Sequence, residues 1–183
     1  MKIILLLKQV RVSQWTKNII VFIPVLANHQ IFELPALINA FIGFISFSLL
    51  ASSVYILNDI IDLDYDREHP TKKHRPIASG DLSIASAYMI LIICLFFGGL
   101  LAMILSPVFL FVGTVYIILN LIYSFYLKKI IILDVILIMS FYTLRLIAGH
   151  IPSAIPFSPW LLSFSIFLFF SLGLLKRYTD IIL

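Results

Sequence analysis

Residues 84–105 and 107–127 carry no charged side chain and are separated by a single residue, Ser106. A bilayer crossing takes about 20 predominantly apolar residues. In lipid, backbone polar groups must be satisfied within a helix or a closed barrel. The apolar runs are continuous rather than alternating, which selects helices. Six such segments can be drawn, at 19–27, 35–57, 84–105, 107–127, 130–149 and 157–175. The first is short, and Pro24 within it predicts a kink or a tilt. Composition agrees, with 62% hydrophobic and 12% charged residues over 183 positions. The expected fold class is therefore all-α: a polytopic membrane helical bundle, one membrane domain over 1–183 with a single long polar loop at 58–83.

The basic residues test this map. With alternating crossings, one side receives Lys2, Lys8, Arg11, Lys17, Arg67, Lys72, Lys73, Arg75, Lys128, Lys129, Lys176 and Arg177. The connections on the other side carry no lysine or arginine, and of the 13 basic residues only Arg145 falls outside the first group. This positive-inside bias places the N-terminus and the 58–83 loop on the cytoplasmic side of the membrane. It also supports counting the short first segment, because omitting it would put Lys17 and Arg67 on opposite sides. The net charge of +4 lies beside membrane spans, so it is not a nucleic-acid signal. Cys94 sits alone in an apolar run and reads as a small buried hydrophobe. The basic start lacks a signal-peptide cleavage pattern and reads as mature protein. No coiled-coil heptad is present, so the sequence sets no oligomeric state.

The polar loop opens with NDIIDLDYDREHPTKKHRP at 58–76, and counted on to Asp81 it holds six of the nine acidic residues. If the second helix runs on through Asp66, then Asn58, Asp62 and Asp66 fall at about 0°, 40° and 80° around its axis, with Asp59 near 100°. Asp64 falls on the opposite face. Carboxylates four residues apart repel one another. A hard cation such as Mg²⁺ offsets that repulsion, taking one or two carboxylates plus substrate phosphates. Arg67, Lys72, Lys73 and Arg75 follow at once and suit phosphate oxygens. The competing reading is an ordinary solvated loop whose basic residues serve topology; the carboxylate spacing favours a site. Asp81 or Ser83 is expected to cap the next helix.

Few other polar groups reach membrane depth. Asp134 and Arg145 are eleven residues apart, so they share a face to within about 20° but sit about 16 Å apart along the axis. They cannot pair, and each needs another partner; Arg145 suits packing or a buried polar network. Lys128 and Lys129 read as topology anchors. Lys176, Arg177 and Asp180 end the last segment, where Lys176–Asp180 makes an ordinary i,i+4 pair. The histidines lack zinc spacing.

These residues together resemble the UbiA prenyltransferase superfamily. Asn58-Asp59-x-x-Asp62-x-x-x-Asp66-Arg67 is similar to its first Asp-rich motif. The nearer resemblance is to the bacterial branch that transfers phosphoribosyl to decaprenyl (polyprenyl) phosphate. It rests on Arg11 with Gln14-Trp15-Thr16-Lys17-Asn18, on His69-Pro70-x-Lys72-x-x-Arg75-Pro76, on Tyr123-Ser124 through Asp134 to Arg145, and on Lys176-Arg177 with Asp180. The resemblance implies Mg²⁺ as cofactor, held by Asn58, Asp62 and Asp66 against the diphosphate of the donor, with Asp134 completing the catalytic set. It implies Lys17, Arg67, Lys73, Arg75, Lys128, Lys176 and Arg177 as phosphate contacts. Polyprenyl lipid and a diphosphate-containing donor are the implied partners, beside membrane lipids.

The resemblance also implies about nine spanning helices, of which six are present. Ile181-Ile182-Leu183 reads as the start of a further segment, so the chain is expected to be C-terminally truncated. Two other functions stay open at this point. One is prenyl transfer to an aromatic acceptor, which uses the same metal–diphosphate device. The other is a cation-binding membrane protein or non-catalytic remnant.

Overall fold

The computed structural model describes residues 2–127, 130–152 and 155–182, without the side chains of Lys2, Ile131 and 180–182. Lys128, expected as a phosphate contact, lies outside the described residues, as do Lys129 and the side chain of Asp180. The described chain is all helical. It runs α1 (Lys2–Gln9), a 3₁₀ helix (Val12–Phe22), α2 (Ile23–Ala27), a short 3₁₀ turn (Gln30–Phe32), α3 (Leu34–Ile61) and α4 (Leu63–Glu68). A second 3₁₀ turn (Lys72–His74) leads to α5 (Ile84–Leu105), α6 (Pro107–Phe125), α7 (Ile131–His150) and α8 (Pro159–Ile182). Five helices, α3 and α5 to α8, are long and apolar enough to cross a membrane.

The expected first segment, 19–27, requires correction. It is not a separate short α-helix but the end of a 16-residue helical stretch, Val12–Ala27, most of it 3₁₀. Pro24 stands in the first turn of α2, beside the change from 3₁₀ to α geometry at Phe22–Ile23. Runs of 3₁₀ helix beyond three or four residues are uncommon, so this one has a reason. With three residues per turn, Trp15, Asn18 and Val21 stack on one face. Trp15 Nε1 donates to Ser52 Oγ at 3.0 Å, Asn18 Nδ2 donates to Ser48 Oγ at 2.9 Å, and Val21 is fully buried. Three residues of 3₁₀ helix and four of α-helix both rise about 6 Å, so the two ladders keep register. An α-helical Val12–Phe22 would lose that match.

Local signals set the other boundaries. Pro35 occupies the first turn of α3, where its missing N–H costs nothing. Helix α4 stops at Glu68 because His69 precedes Pro70 and takes an extended conformation. Ser83 caps α5 by accepting from Ser86 N at 3.1 Å, while Asp81 instead accepts from Ser79 Oγ at 2.8 Å. Ser106 ends α5 in extended backbone and caps α6, accepting from Phe109 N at 3.0 Å.

Helix α3 is the hub, packed by α5, α6, α7 and the 3₁₀ helix, while α8 leans on α7. Lipid tails are as apolar as leucine, so helices in a bilayer associate through close packing of small residues. The buried Ser46, Ser48, Ser52 and Ser53 of α3 provide it. Opposite Ser46 lies Gly98 of α5, whose carbonyl accepts from Ser46 Oγ at 2.7 Å; a Cβ there would stand 2.9 Å from Leu50. Gly149 of α7 approaches closer still, and a Cβ would overlap the Val21 carbonyl. Phe47, Tyr116 and Phe141 fill the centre between α3, α6 and α7. Cys94 is buried and free.

Candidate active site

The Asp-rich run straddles the joint between α3 and α4. Asp62 turns slightly out of helical geometry at ψ 12°, yet its N–H still bonds the Asn58 carbonyl at 2.9 Å and its own carbonyl accepts from Asp66 N at 2.8 Å. The helical phase therefore survives the joint. Asp64 lies on the other side, 98% exposed, 3.5 Å from Arg67.

Two carboxylates of the run are buried, and arginine holds both. Arg75 NH1 lies 3.0 Å from Asp59 Oδ1 and 2.5 Å from Asp66 Oδ2. Arg11 donates to Asp59 Oδ1 at 2.5 Å, and Gln9 Nε2 donates to Asp59 Oδ2 at 3.3 Å. Thus α1 and the turn after it dock onto the end of α3. Arg11 pays no side-chain role to a helix cap; it sits in the left-handed region at φ 54°, a strained conformation for a non-glycine residue. Asp66 is 1% exposed, and its Oδ1 has no hydrogen-bond partner; Lys72 Nζ makes an ion pair with it at 4.0 Å. Lys72 also stands over the Tyr65 ring.

The structure thus gives Arg75 a carboxylate-bridging place where the spacing predicted a phosphate contact. Arg67 and Lys73 are exposed. Asn58 Nδ2 donates to Ser124 Oγ of α6 at 3.0 Å, which leaves its amide oxygen as acceptor. Asp62 is half-buried with no side-chain hydrogen bond or ion pair among the described residues.

A second group of sequence candidates meets in a cavity of about 160 Å³ beside the same face of α3. Lys17 of the 3₁₀ helix, Tyr55 of α3, Tyr116 and Asn120 of α6, Tyr142 and Arg145 of α7, and Lys176 of α8 line it. Arg145 is 4% exposed. Its Nε donates to Asn18 Oδ1 at 2.7 Å, NH1 to the Phe141 carbonyl at 2.7 Å and NH2 to Tyr116 Oη at 3.0 Å. The rings of Phe47, Tyr116 and Tyr142 surround it within 6 Å. Tyr55 joins the two groups: it lines the cavity, and Arg11 stands over its ring at 5.1 Å.

Asp134 lies in the first turn of α7, where a carboxylate favours the helix dipole, and accepts from Tyr123 Oη at 2.7 Å. It is buried and does not line the cavity. Arg177 is half-buried with its Nε unpartnered. As their spacing required, Asp134 and Arg145 take separate partners.

Among the described residues, no three His, Cys, Asp or Glu side chains converge as a metal cluster. The donors instead suit an open oxygen site. Asp66 Oδ1 is buried without a hydrogen-bond partner, 4.0 Å from Lys72 Nζ, the Asp62 side chain makes no hydrogen bond or ion pair among the described residues, and the Asn58 amide oxygen lies on the same stripe. Such a partial set fits Mg²⁺, whose shell substrate phosphates and water complete.

Sequence reasoning did not find Gln9, and met Arg11 only within a family motif, because their ties to Asp59 span 50 and 48 positions with no local signal. It flagged Arg145 by its membrane depth and as part of a family motif, but not its partners.

The chain is similar to known proteins along most of its length. The profile of the UbiA prenyltransferase family matches residues 19–181. An uncharacterized protein of Sinorhizobium fredii, y4nM, is 38% identical over 95% of this chain and 34% of its own length. The decaprenyl-phosphate phosphoribosyltransferase of Mycobacterium tuberculosis is 35% identical over 95% of this chain and 59% of its own. Among solved structures, a UbiA homolog from Archaeoglobus fulgidus bound to DMAPP and Mg²⁺ superposes with a TM-score of 0.75 at 20% identity, covering 91% of this chain and 60% of that one. The chain therefore spans between a third and two thirds of the length of the proteins it matches.

Proposed function

The chain belongs to the UbiA prenyltransferase family, and from that premise we propose that it contributes the donor site of a Mg²⁺-dependent membrane transferase that moves phosphoribosyl from phosphoribosyl diphosphate to polyprenyl phosphate. The observation that carries this reading is Asp66 Oδ1, a buried carboxylate oxygen without a hydrogen-bond partner on a stripe of oxygen donors. The relatives named as phosphoribosyltransferases support the choice of donor.

Asn58, Asp62 and Asp66 hold the metal. When bound, Mg²⁺ supplies Lewis-acid stabilisation of the departing diphosphate. Arg67, Lys72 and Lys73 stand beside the stripe, Arg75 sets the Asp59 and Asp66 carboxylates, and Lys17, Lys128, Lys176 and Arg177 add positive charge around the substrates. An oxygen of the lipid phosphate attacks the anomeric carbon as the C1–O bond breaks and diphosphate leaves with the electron pair. That nucleophile is already ionised, so no general base is required. Asp134 serves as a positioning residue, tying Tyr123 of α6 to α7.

In this reading the membrane carries six crossings of this chain. The 3₁₀ rise gives Val12–Ala27 a reach of about 30 Å, enough for the hydrocarbon core. The N-terminus and the Asp-rich loop face the cytoplasm of a bacterial inner membrane, as the basic residues favour.

Prenyl transfer to an aromatic acceptor is the second reading, favoured by the prenyl diphosphate in the Archaeoglobus fulgidus structure. Membranes containing the chain are given radiolabelled phosphoribosyl diphosphate, polyprenyl phosphate and Mg²⁺, and labelled lipid is expected. Product only from a prenyl diphosphate and an aromatic acid would replace the first reading with the second.

A further inference from the structure

Helix α1 carries an apolar face that the described bundle leaves uncovered. Taken at about 100° per residue from Ile3, Leu6, Ile3, Leu7 and Ile4 fall at about 300°, 0°, 40° and 100°, a continuous arc about 160° wide. In that order they are 42%, 72%, 50% and 61% exposed. Lys2 and Lys8 fall by register at about 260° and 140°, so a lysine borders each edge of the arc. Leu5 and Gln9 stand on the opposite side, near about 200° and 240°. Leu5 is half-buried and Gln9 is fully buried. The rotation of the helix about its axis is therefore set by the protein. Gln9 Nε2 donates to Asp59 Oδ2 at 3.3 Å, and Ser52 Oγ donates to the Val10 carbonyl at 2.7 Å. Val10 packs against the cluster of Ile56, Leu63, Ile77 and Ala87, and Arg11 adds its own tie to Asp59. These contacts turn the isoleucines and leucines of α1 away from the bundle, beside the Asp-rich end of α3.

We propose that α1 lies in the plane of the membrane, with its apolar arc among the acyl chains of the cytoplasmic leaflet and its bordering lysines on anionic headgroups. Eight residues rise about 12 Å against a hydrocarbon core of about 30 Å, so α1 is too short to cross. A helix of this length is marginal in water on its own. Its bundle side supplies one half-buried leucine and a glutamine, so most of its apolar contact has to come from the outer face. A basic amphipathic helix suits an interfacial seat. Lysines at the edges of the arc lay their methylene stems along the acyl boundary and raise their ammonium groups to the headgroups. α1 has no acidic residue to oppose that attraction. A second copy of this chain fits less well, because pairing two such arcs brings the lysine borders of both together, like charge on like. The seat holds whichever donor the Asp-rich stripe takes.

The test places an environment-sensitive fluorophore on Ile4→Cys, Leu5→Cys, Leu7→Cys and Asp64→Cys, each made singly in a Cys94→Ala background. The full chain is held at one copy per nanodisc, in phosphatidylcholine with or without phosphatidylglycerol. Lipids carrying a shallow nitroxide are expected to quench the Ile4 and Leu7 probes at least about threefold more than the Leu5 probe, which faces the bundle. Aqueous iodide should reach the probe at Asp64, a side chain 98% exposed, and not the probe at Leu7. Lys8→Gln should lower the ratio of seated to released helix about fivefold in the anionic discs, the share of one lysine at a charged surface, and leave it unchanged in the neutral discs. Equal lipid quenching at Leu5 and Leu7 overturns the seat, as does iodide reaching Leu7 as freely as Asp64. A Leu7 probe shielded from both quenchers overturns it too, because a protein partner then covers the arc. A Lys8→Gln effect that is absent, or the same in both kinds of disc, overturns the anionic headgroup as the partner.

Discussion

Arg75 donates from NH1 to Asp66 Oδ2 at 2.5 Å, while Oδ1 of the same buried carboxylate has no hydrogen-bond partner. One half of Asp66 is thus held by Arg75, while the other makes no hydrogen bond and faces Lys72 Nζ at 4.0 Å. Arg75 also reaches Asp59 at 3.0 Å, so a single guanidinium from the loop secures both buried carboxylates at the end of α3 and the start of α4. This arrangement holds the donor stripe in place without closing it.

Removing that guanidinium leaves two buried carboxylates short of positive charge. Arg75→Gln is expected to destabilise the chain by on the order of 3 kcal/mol, as when one partner of a buried ion pair is deleted. Added Mg²⁺ should raise the thermal midpoint of the variant more than that of wild type, because the freed carboxylates gain a cation. Unfolding followed by tryptophan fluorescence with and without Mg²⁺ measures both effects. Equal Mg²⁺ responses would separate Arg75 from the metal site.

Gly149 and Gly99 provide a matched pair. A Cβ at Gly149 overlaps the Val21 carbonyl, whereas a Cβ at Gly99 meets nothing within 4 Å. Gly149→Ala should cost about 1–3 kcal/mol by overpacking, and Gly99→Ala should be neutral or stabilising by up to about 1 kcal/mol from helix propensity. Thermal midpoints of the two variants in the same detergent decide this. Equal midpoints would refute the close approach of α7 to the 3₁₀ helix.

Topology follows from the charge bias and is open to labelling. In a Cys94→Ala background, Asp64→Cys should react with an impermeant maleimide only in inside-out vesicles. Phe32→Cys, at a residue 95% exposed on the opposite connection, should react in intact cells. Reaction of both from one side would contradict an odd number of crossings between them.

Much of this was written in local sequence. Apolar run length located α3 and α5 to α8, because lipid leaves a helix as the only economical way to satisfy backbone groups. Ser83 showed the start of α5 through capping chemistry. The eleven-residue interval between Asp134 and Arg145 correctly forbade a direct pair. Other features were not local. The 3₁₀ path of Val12–Phe22 depends on the rise of Ser48 and Ser52 in another helix. The ties from Gln9 and Arg11 to Asp59, and the meeting of Lys17, Arg145 and Lys176, join residues whose separation in sequence carries no periodic signal. Arg75 was legible as a cation near carboxylates, but not as the bridge between them.

The central claim is that Asn58, Asp62 and Asp66 form an open Mg²⁺ site for a diphosphate donor. Its most direct test is equilibrium binding of radiolabelled phosphoribosyl diphosphate to the purified chain, with Mg²⁺ or with EDTA, for wild type and Asp62→Asn. Asp62 has no described side-chain partner to lose, so the variant should fold as wild type. The account predicts binding with Mg²⁺, loss of at least about tenfold in EDTA, and a similar loss in Asp62→Asn even with Mg²⁺. Binding that is equal with and without metal, or unchanged in Asp62→Asn, would contradict it.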